Sequence, residues 1–260
     1  MRPPRPFAGR VFRAYGSRTA GLPGPAPEEG MDYLVLALSH AWGLLTGLDP
    51  DVWAAVGTSV WVSGAASALA AAAAVPAGVA VALGRFPGRQ PLLLVLNTLM
   101  ALPTVVVGLL VYGLIGRQGP LGWLGLLYTP PGIVLGEFLL VLPLMTNLVV
   151  SAVEGLDPRF LQTCRALGAG PWATGRMALW EARLGVLAAL VAGFGRAVGE
   201  VGVAMMLGGN IRGYTRTMTT AIALETSKGE FELGLALGIV LLSVALGVNA
   251  ALFALRRRSA

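Results

Sequence analysis

The 260-residue chain is 55% hydrophobic and 12% charged, with 19 Lys+Arg against 13 Asp+Glu and a formal net charge of +6. Soluble domains usually carry about 25% charged residues, so this composition excludes a water-soluble globule and places the chain in a bilayer. The positive excess does not indicate a nucleic-acid partner, because the arginines fall between and beyond the apolar stretches rather than along one soluble face.

Residues 1–30 are rich in Pro, Gly and Arg and have neither an apolar h-region nor a cleavage pattern. They read as a disordered tail, with Met31 as a candidate true start. In the segment 31–52, the stretch Tyr33 to Leu48 is apolar but short, holds His40 and Trp42, and ends in Asp49-Pro50, a helix-stop pattern. It reads as an interfacial helix or as a short sixth span.

From 53 to 255 the chain reads as one membrane domain. Crossing a ~30 Å hydrocarbon core takes about 20 helical residues, and 57–84, 91–115, 132–153, 184–207 and 233–255 qualify. The fold class expected is all-α, a polytopic membrane helix bundle with five core transmembrane helices.

Between the first two spans, Pro87-Gly88 makes a tight turn flanked by Arg85 and Arg89, giving an antiparallel hairpin. The second span contains Asn97, Pro103 and Thr104, and the third contains Pro143 before Thr146 and Asn147. Both should kink, and the freed backbone groups must then face protein or a water-lined path. Asn97, Pro103 and Thr104 are therefore candidates to line a path, with a packing role as the alternative. Glu137 reads as a charge near the outer end of the third span that snorkels to the interface or serves as a helix-start charge.

Arg196 and Glu200 stand four residues apart in the fourth span, where each lowers the cost of burying the other. They are candidates for the path or for a structural gate-hinge pair. Beyond them, 210–232 forms an outer segment with Arg212, Arg216 and Thr215, Thr217, Thr219 and Thr220. Its hydroxyls and guanidinium groups suit an anion, an ordinary solvated loop or the docking of a binding protein.

Counting sides, nine arginines (85, 89, 159, 165, 176, 183, 256, 257 and 258) fall on one face, against four cations (Arg117, Arg212, Arg216 and Lys228) on the other. The positive-inside rule makes the first face cytoplasmic, including the loop 154–183 and the basic tail 256–260. Cys164, the single cysteine, lies in that loop and cannot form an intramolecular disulfide.

Within the loop, Asp157-Pro158 is an N-cap followed by Pro at the first helical position, opening a helix to about Leu167. Gly168-Ala169-Gly170 ends it, and a second helix starts at Pro171. Phe160, Leu161, Cys164 and Leu167 recur at helical spacing as an apolar stripe for the chain's own spans. Trp172 and Arg165 are residue types that anchor interfaces with partners.

The wording Arg165-Ala166-Leu167-Gly168-Ala169-Gly170-Pro171-Trp172 and its place between spans resemble the permease subunits of ATP-binding cassette importers. In that family the loop reads E-A-A, three residues, G, nine residues, I, one residue, L-P. Aligned on Gly168, this chain has Gln162-Thr163-Cys164 for the triplet, and Ala178, Trp180 and Glu181 for the isoleucine, leucine and proline. Leu179-Trp180-Glu181-Ala182-Arg183 and the run Gly199-Glu200-Val201-Gly202-Val203-Ala204-Met205-Met206-Leu207-Gly208-Gly209-Asn210-Ile211 are most similar to the tungstate branch of the oxyanion importers.

The resemblance implies that the loop carries coupling helices that enter a cleft of an ATPase subunit, with Gln162, Arg165, Ala166, Leu167, Gly168, Ala169, Gly170 and Trp172 as the contact set. It also implies a second copy of the chain, a separate cytoplasmic ATPase that holds ATP and magnesium, an extracytoplasmic oxyanion-binding protein, and import of tungstate, molybdate or sulfate. The chain itself should bind no cofactor and hydrolyse no ATP. Its only lysine, Lys228, follows Thr226-Ser227 and not the last glycine of a phosphate-binding loop. An ATP-independent channel or ion-gradient carrier is the rival reading. The absence of a visible internal duplication counts against the carrier.

Overall fold

The computed structural model describes residues 38–39, 42–43 and 46–259, apart from the side chains of Arg165, Glu232, Leu255, Arg256, Arg258 and Ser259. The tail 1–30 and most of the expected interfacial helix at 33–48 lie outside the described residues. Those described form an all-α bundle of ten α-helices: α1 (Pro50–Leu83), α2 (Arg89–Met100), α3 (Thr104–Ile115), α4 (Pro130–Glu154), α5 (Pro158–Ala166), α6 (Pro171–Glu181), α7 (Arg183–Val198), α8 (Gly202–Gly208), α9 (Met218–Lys228) and α10 (Phe231–Ser259).

Asp49-Pro50 starts α1 as well as closing the stretch before it. The Asp49 carboxylate accepts from the Asp51 and Val52 amides at 2.9 and 3.2 Å, and Pro50 occupies the first turn, where its missing N–H costs nothing. The first long helix therefore begins ahead of the expected boundary at 57. Thr129 caps α4 in the same way, with Pro130 at its start. Pro143 does not break α4, which runs on for 25 residues, and Thr146 donates to the Leu142 carbonyl at 2.7 Å.

The second and fourth expected spans are not continuous helices. The segment 91–115 is α2 and α3, bent by 100° at Ala101 to Pro103. Proline at 103 donates no hydrogen bond and disfavours helical backbone in the residue before it, so the chain turns there instead of kinking within one helix. The segment 184–207 is α7 and the short α8, separated by the non-helical Gly199 to Val201. Among the described residues three helices, α1, α4 and the 233–254 part of α10, are long and apolar enough to cross a membrane; two bent pairs, α2 with α3 and α6 with α7, make up to five crossings.

α4 is the central helix and packs against α1, α2, α3, α7 and α8. Lipid tails are as apolar as the side chains, so helix association here depends on close packing rather than on escape from water. Small residues allow the approach. Ala66, Ala70 and Ala74 of α1 are fully buried against Ile133, Val141 and Met145 of α4. At Gly78 a methyl group would come within 2.7 Å of Val149, and at Gly193 within 2.0 Å of the Met145 methyl.

Ion pairs mark the two ends of the bundle. Arg89 pairs with Glu154, tying the α1–α2 hairpin to the end of α4 on the face counted as cytoplasmic. At the opposite end Arg212 Nε lies 2.7 Å from Asp51, and Glu225 pairs with Arg216 and Lys228 at 3.4 and 3.0 Å.

Candidate coupling face and membrane path

The loop 154–183 folds as two helices around Gly168. Asp157 accepts from the Arg159 amide at 2.8 Å, which sets the start of α5. The chain then reverses at Gly168 with φ +74°, a left-handed conformation that glycine adopts without steric cost. The Ala169 amide closes the end of α5 on the Cys164 carbonyl at 3.0 Å, and Pro171 opens α6.

The underside of this turn is anchored. Phe160 packs into a cluster with Val149, Val153, Ala178, Ala182 and Val186, and Cys164 is buried with its Sγ 3.9 Å from Met177 Sδ. The rim points away from the bundle: Gln162, Ala166, Gly168 and Gly170 are exposed, Ala169 is half-buried, and Leu167 and Trp172 are 81% and 86% exposed. Leu167 therefore departs from the inward stripe expected of it, because the helix ends at Ala166 and the next residue is carried outward by the turn. Arg165 lies within α5. Two large apolar side chains exposed on a turn of small residues form a surface suited to burial by a partner.

Of the five candidate path residues, the fold brings Thr104 and Glu200 together. A methyl group at Gly202 would lie 3.0 Å from the Thr104 hydroxyl and 3.3 Å from Glu200 Oε1, so the two side chains flank the same bare backbone. Arg196 reaches Glu200 Oε2 at 3.9 Å, with the guanidinium side chain 44% exposed and the carboxylate side chain 2% exposed. The pair does not lie on one unbroken helix, because α7 ends at Val198 and Glu200 sits in the break. Glu200 Oε1 accepts from the Val203 amide at 3.1 Å, and Thr219 donates to the Glu200 carbonyl at 2.6 Å.

Pro103 marks the bend that presents Thr104 at the start of α3. Asn97 is engaged elsewhere: its Oδ1 accepts from Asn147 Nδ2 at 2.6 Å, joining α2 to α4, and the same amide lies 3.3 Å from Met100 Sδ.

The outer threonines are not free for solvent or substrate. Thr215, Thr217, Thr219 and Thr220 are buried; Thr215 donates to the Gly208 carbonyl at 2.6 Å, and Thr217 and Thr220 form a capping box for α9. The Met218 amide donates to Ser59 at 2.7 Å, which ties α9 to α1. The expected solvated or anion-binding loop is a helix seated on the bundle. Arg212, 69% exposed, remains at its surface.

Glu137 is also placed differently from its sequence reading. It is 1% exposed, inside the contact of α4 with α1, and cannot snorkel to an interface. Asn147, expected with the kinked third span to face protein or a water-lined path, faces protein and holds Asn97 of α2, and Thr219, expected in a segment suited to an anion, donates to the Glu200 carbonyl instead.

Residues 74–260 match the family described as the inner membrane component of binding-protein-dependent transport systems. The chain belongs to this family. The matched region spans the end of α1, from residue 74, and every later helix, so the coupling turn and the Thr104–Glu200 site both lie inside it. This permease is therefore a multi-pass cell-membrane protein. It is 36% identical over 226 residues, covering 87% of this chain and 99% of the relative, to the tungstate uptake system permease protein TupB of Peptoclostridium acidaminophilum. It is 41% identical over 197 residues, 74% of this chain and 85% of the relative, to a probable anion ABC transporter permease protein of Haloferax volcanii. The molybdenum transport system permease protein ModB of Escherichia coli is 35% identical over 196 residues, 70% of this chain and 83% of the relative.

Proposed function

We propose that the permease imports a tetrahedral oxyanion, tungstate before molybdate and sulfate, across the cytoplasmic membrane by alternating access driven by a separate ATPase. The observation that carries this reading is the likeness to a tungstate uptake permease along 99% of that relative's length. Likeness to a molybdenum permease covers less, 70% of this chain against 87%, and likeness to a sulfate permease is weaker, at 29% identity over 62% of this chain.

In this reading the turn formed by Gln162, Arg165, Ala166, Leu167, Gly168, Ala169, Gly170 and Trp172 docks in a cleft of the ATPase, which holds ATP and magnesium. α5 and α6 share a core cluster with the ends of α1, α4 and α7, so movement of the docked turn is passed directly to the spans. A second copy covers exposed apolar residues of α2 and α3, among them Leu94, Val105, Leu109 and Leu110, and the path runs between the copies. Thr104 offers a hydroxyl and Arg196 a half-exposed guanidinium to the anion. Glu200 limits how tightly the anion is held, which suits a path that must release what it admits. An extracytoplasmic binding protein delivers the anion at the Asp51–Arg212 end.

The test is ATP-dependent oxyanion uptake in vesicles that hold the permease, its ATPase and its binding protein. A methyl group at Gly168 would meet nothing within 4 Å, and the strain of a side chain at φ +74° falls on the exposed turn and not on the spans, so Gly168→Trp should still insert and should abolish uptake. Normal ATP-dependent uptake by that variant would refute the coupling assignment, and uptake by the purified chain alone would favour a channel or carrier. The oxyanion affinities of the binding protein rank tungstate, molybdate and sulfate.

A further inference from the structure

The contact of α1 with α4 contains a carboxyl group that the path does not use. Glu137 is 1% exposed, and its Oε2 is enclosed without a hydrogen-bond partner. The Ser63 hydroxyl of α1 stands within hydrogen-bonding reach of the same carboxyl, and the Glu200 carboxylate is the charge that faces it. The same α1–α4 contact holds a buried apolar cluster of Val62 and Ala66 of α1, Ile133 and Val134 of α4, and Ala204 of α8.

The elements packed on α4 supply no cation for Glu137 among the described residues. α1 carries one charged residue, Asp51, in its outermost turn, and α3 and α8 carry none. Arg89 of α2 is bound to Glu154, 17 residues along α4 from Glu137, about 25 Å at helical rise. Arg183 of α7 lies at the cytoplasmic end over Trp180. Arg196 of α7 is directed to Glu200. Glu200 is thus compensated by Arg196 and the Val203 amide, whereas Glu137 has only a serine.

An ionised carboxylate enclosed among apolar side chains, next to a second carboxylate and without a cation, is far costlier than the neutral acid. We propose that Glu137 is a proton-binding site: its carboxyl holds a proton in this conformation, so the Glu137–Glu200 pair carries one negative charge, located on Glu200 opposite Arg196. The proton sits on Oε2, the oxygen without a hydrogen-bond partner, and the other oxygen accepts from Ser63. The proton is drawn from water and returns to water when the α1–α4 contact opens to solvent. Because Glu200 flanks Thr104 and Arg196, occupancy of the proton site sets the net charge beside the path.

Infrared difference spectroscopy on the purified permease in lipid at neutral pH tests this without any transport assay. A carbonyl-stretch band of a buried carboxylic acid, shifted in heavy water, is expected in the wild type and lost in Glu137→Gln. The same variant should keep uptake within about twofold of wild type, since the neutral amide preserves the hydrogen bond to Ser63. Absence of the band in the wild type, or its persistence in Glu137→Gln, overturns the proposal. So does a sodium requirement of the wild type that the glutamine variant abolishes, which would mean a bound metal cation in place of the proton. If the glutamine variant does not accumulate, Glu137→Asp decides: its band shifts in frequency if the proton sits at residue 137 and stays unchanged if it does not.

Discussion

Replacing Trp172 with alanine separates docking from folding. The indole is 86% exposed and neighbours Leu167, 81% exposed, across the Gly168 turn, so its removal takes almost nothing from the packing of the permease itself. The expected change in the permease's own stability is within about 0.5 kcal/mol, as for surface substitutions generally. As an aromatic anchor in the ATPase cleft, the same side chain should contribute at least about 2 kcal/mol to binding. At ~1.4 kcal/mol per tenfold, this corresponds to roughly 30-fold weaker affinity. Binding of the purified ATPase to permease in lipid nanodiscs gives the affinity, and thermal unfolding of the same sample gives the stability. A loss of affinity below about threefold would refute the docking assignment by falling well short of what an anchor contributes. A parallel loss of thermal stability would show that Trp172 supports the fold instead. Ala178, fully buried on the same helix, provides the contrast: Ala178→Trp should prevent folding.

Two further substitutions probe the bonds that hold the proposed path residues Glu200 and Asn97. Thr219→Val removes the donor 2.6 Å from the Glu200 carbonyl in a buried setting and should cost about 1–3 kcal/mol, read as a lower thermal midpoint. An unchanged midpoint would mean that the carbonyl finds another donor. Asn147→Leu removes the 2.6 Å bond to Asn97, an inter-helix contact of a kind that averages about 0.6 kcal/mol in membranes. Its thermal midpoint should barely move while uptake falls severalfold, because the bond holds α2, just before its 100° bend, against α4. Equal effects on both measurements would argue that the bond serves stability alone.

Much of the coupling turn was legible in the sequence. Asp157-Pro158 and Gly168-Ala169-Gly170-Pro171 carry local capping and turn chemistry, and local chemistry acts with little reference to the rest of the fold. The helices α5 and α6 start at Pro158 and Pro171, where that chemistry places them. The direction of Leu167 was not legible, since helical spacing assigns a face only while the helix continues. Long-range pairing was equally hidden: Asn97 with Asn147, Thr219 with Glu200 and Ser63 with Glu137 join residues whose separation along the chain carries no periodic signal.

By composition and apolar run length the amino-acid sequence alone determined that this is a membrane bundle, its capping and turn residues determined where the loop 154–183 turns, and its arginine distribution assigned that loop to the cytoplasm. Those properties follow from transfer of side chains to lipid and from backbone preferences within a few residues. Tertiary structure decided which polar groups meet. It carried Glu137 into the centre of the bundle, folded the threonine run against α1 as a buried helix, broke the fourth span at Gly199 to Val201 and set Glu200 between Arg196 and Thr104. The physical reason is that burial depends on neighbours distant in sequence: a carboxyl group within an apolar run reads the same whether it faces lipid headgroups or another helix, and only the packing of α4 against α1 distinguishes the two.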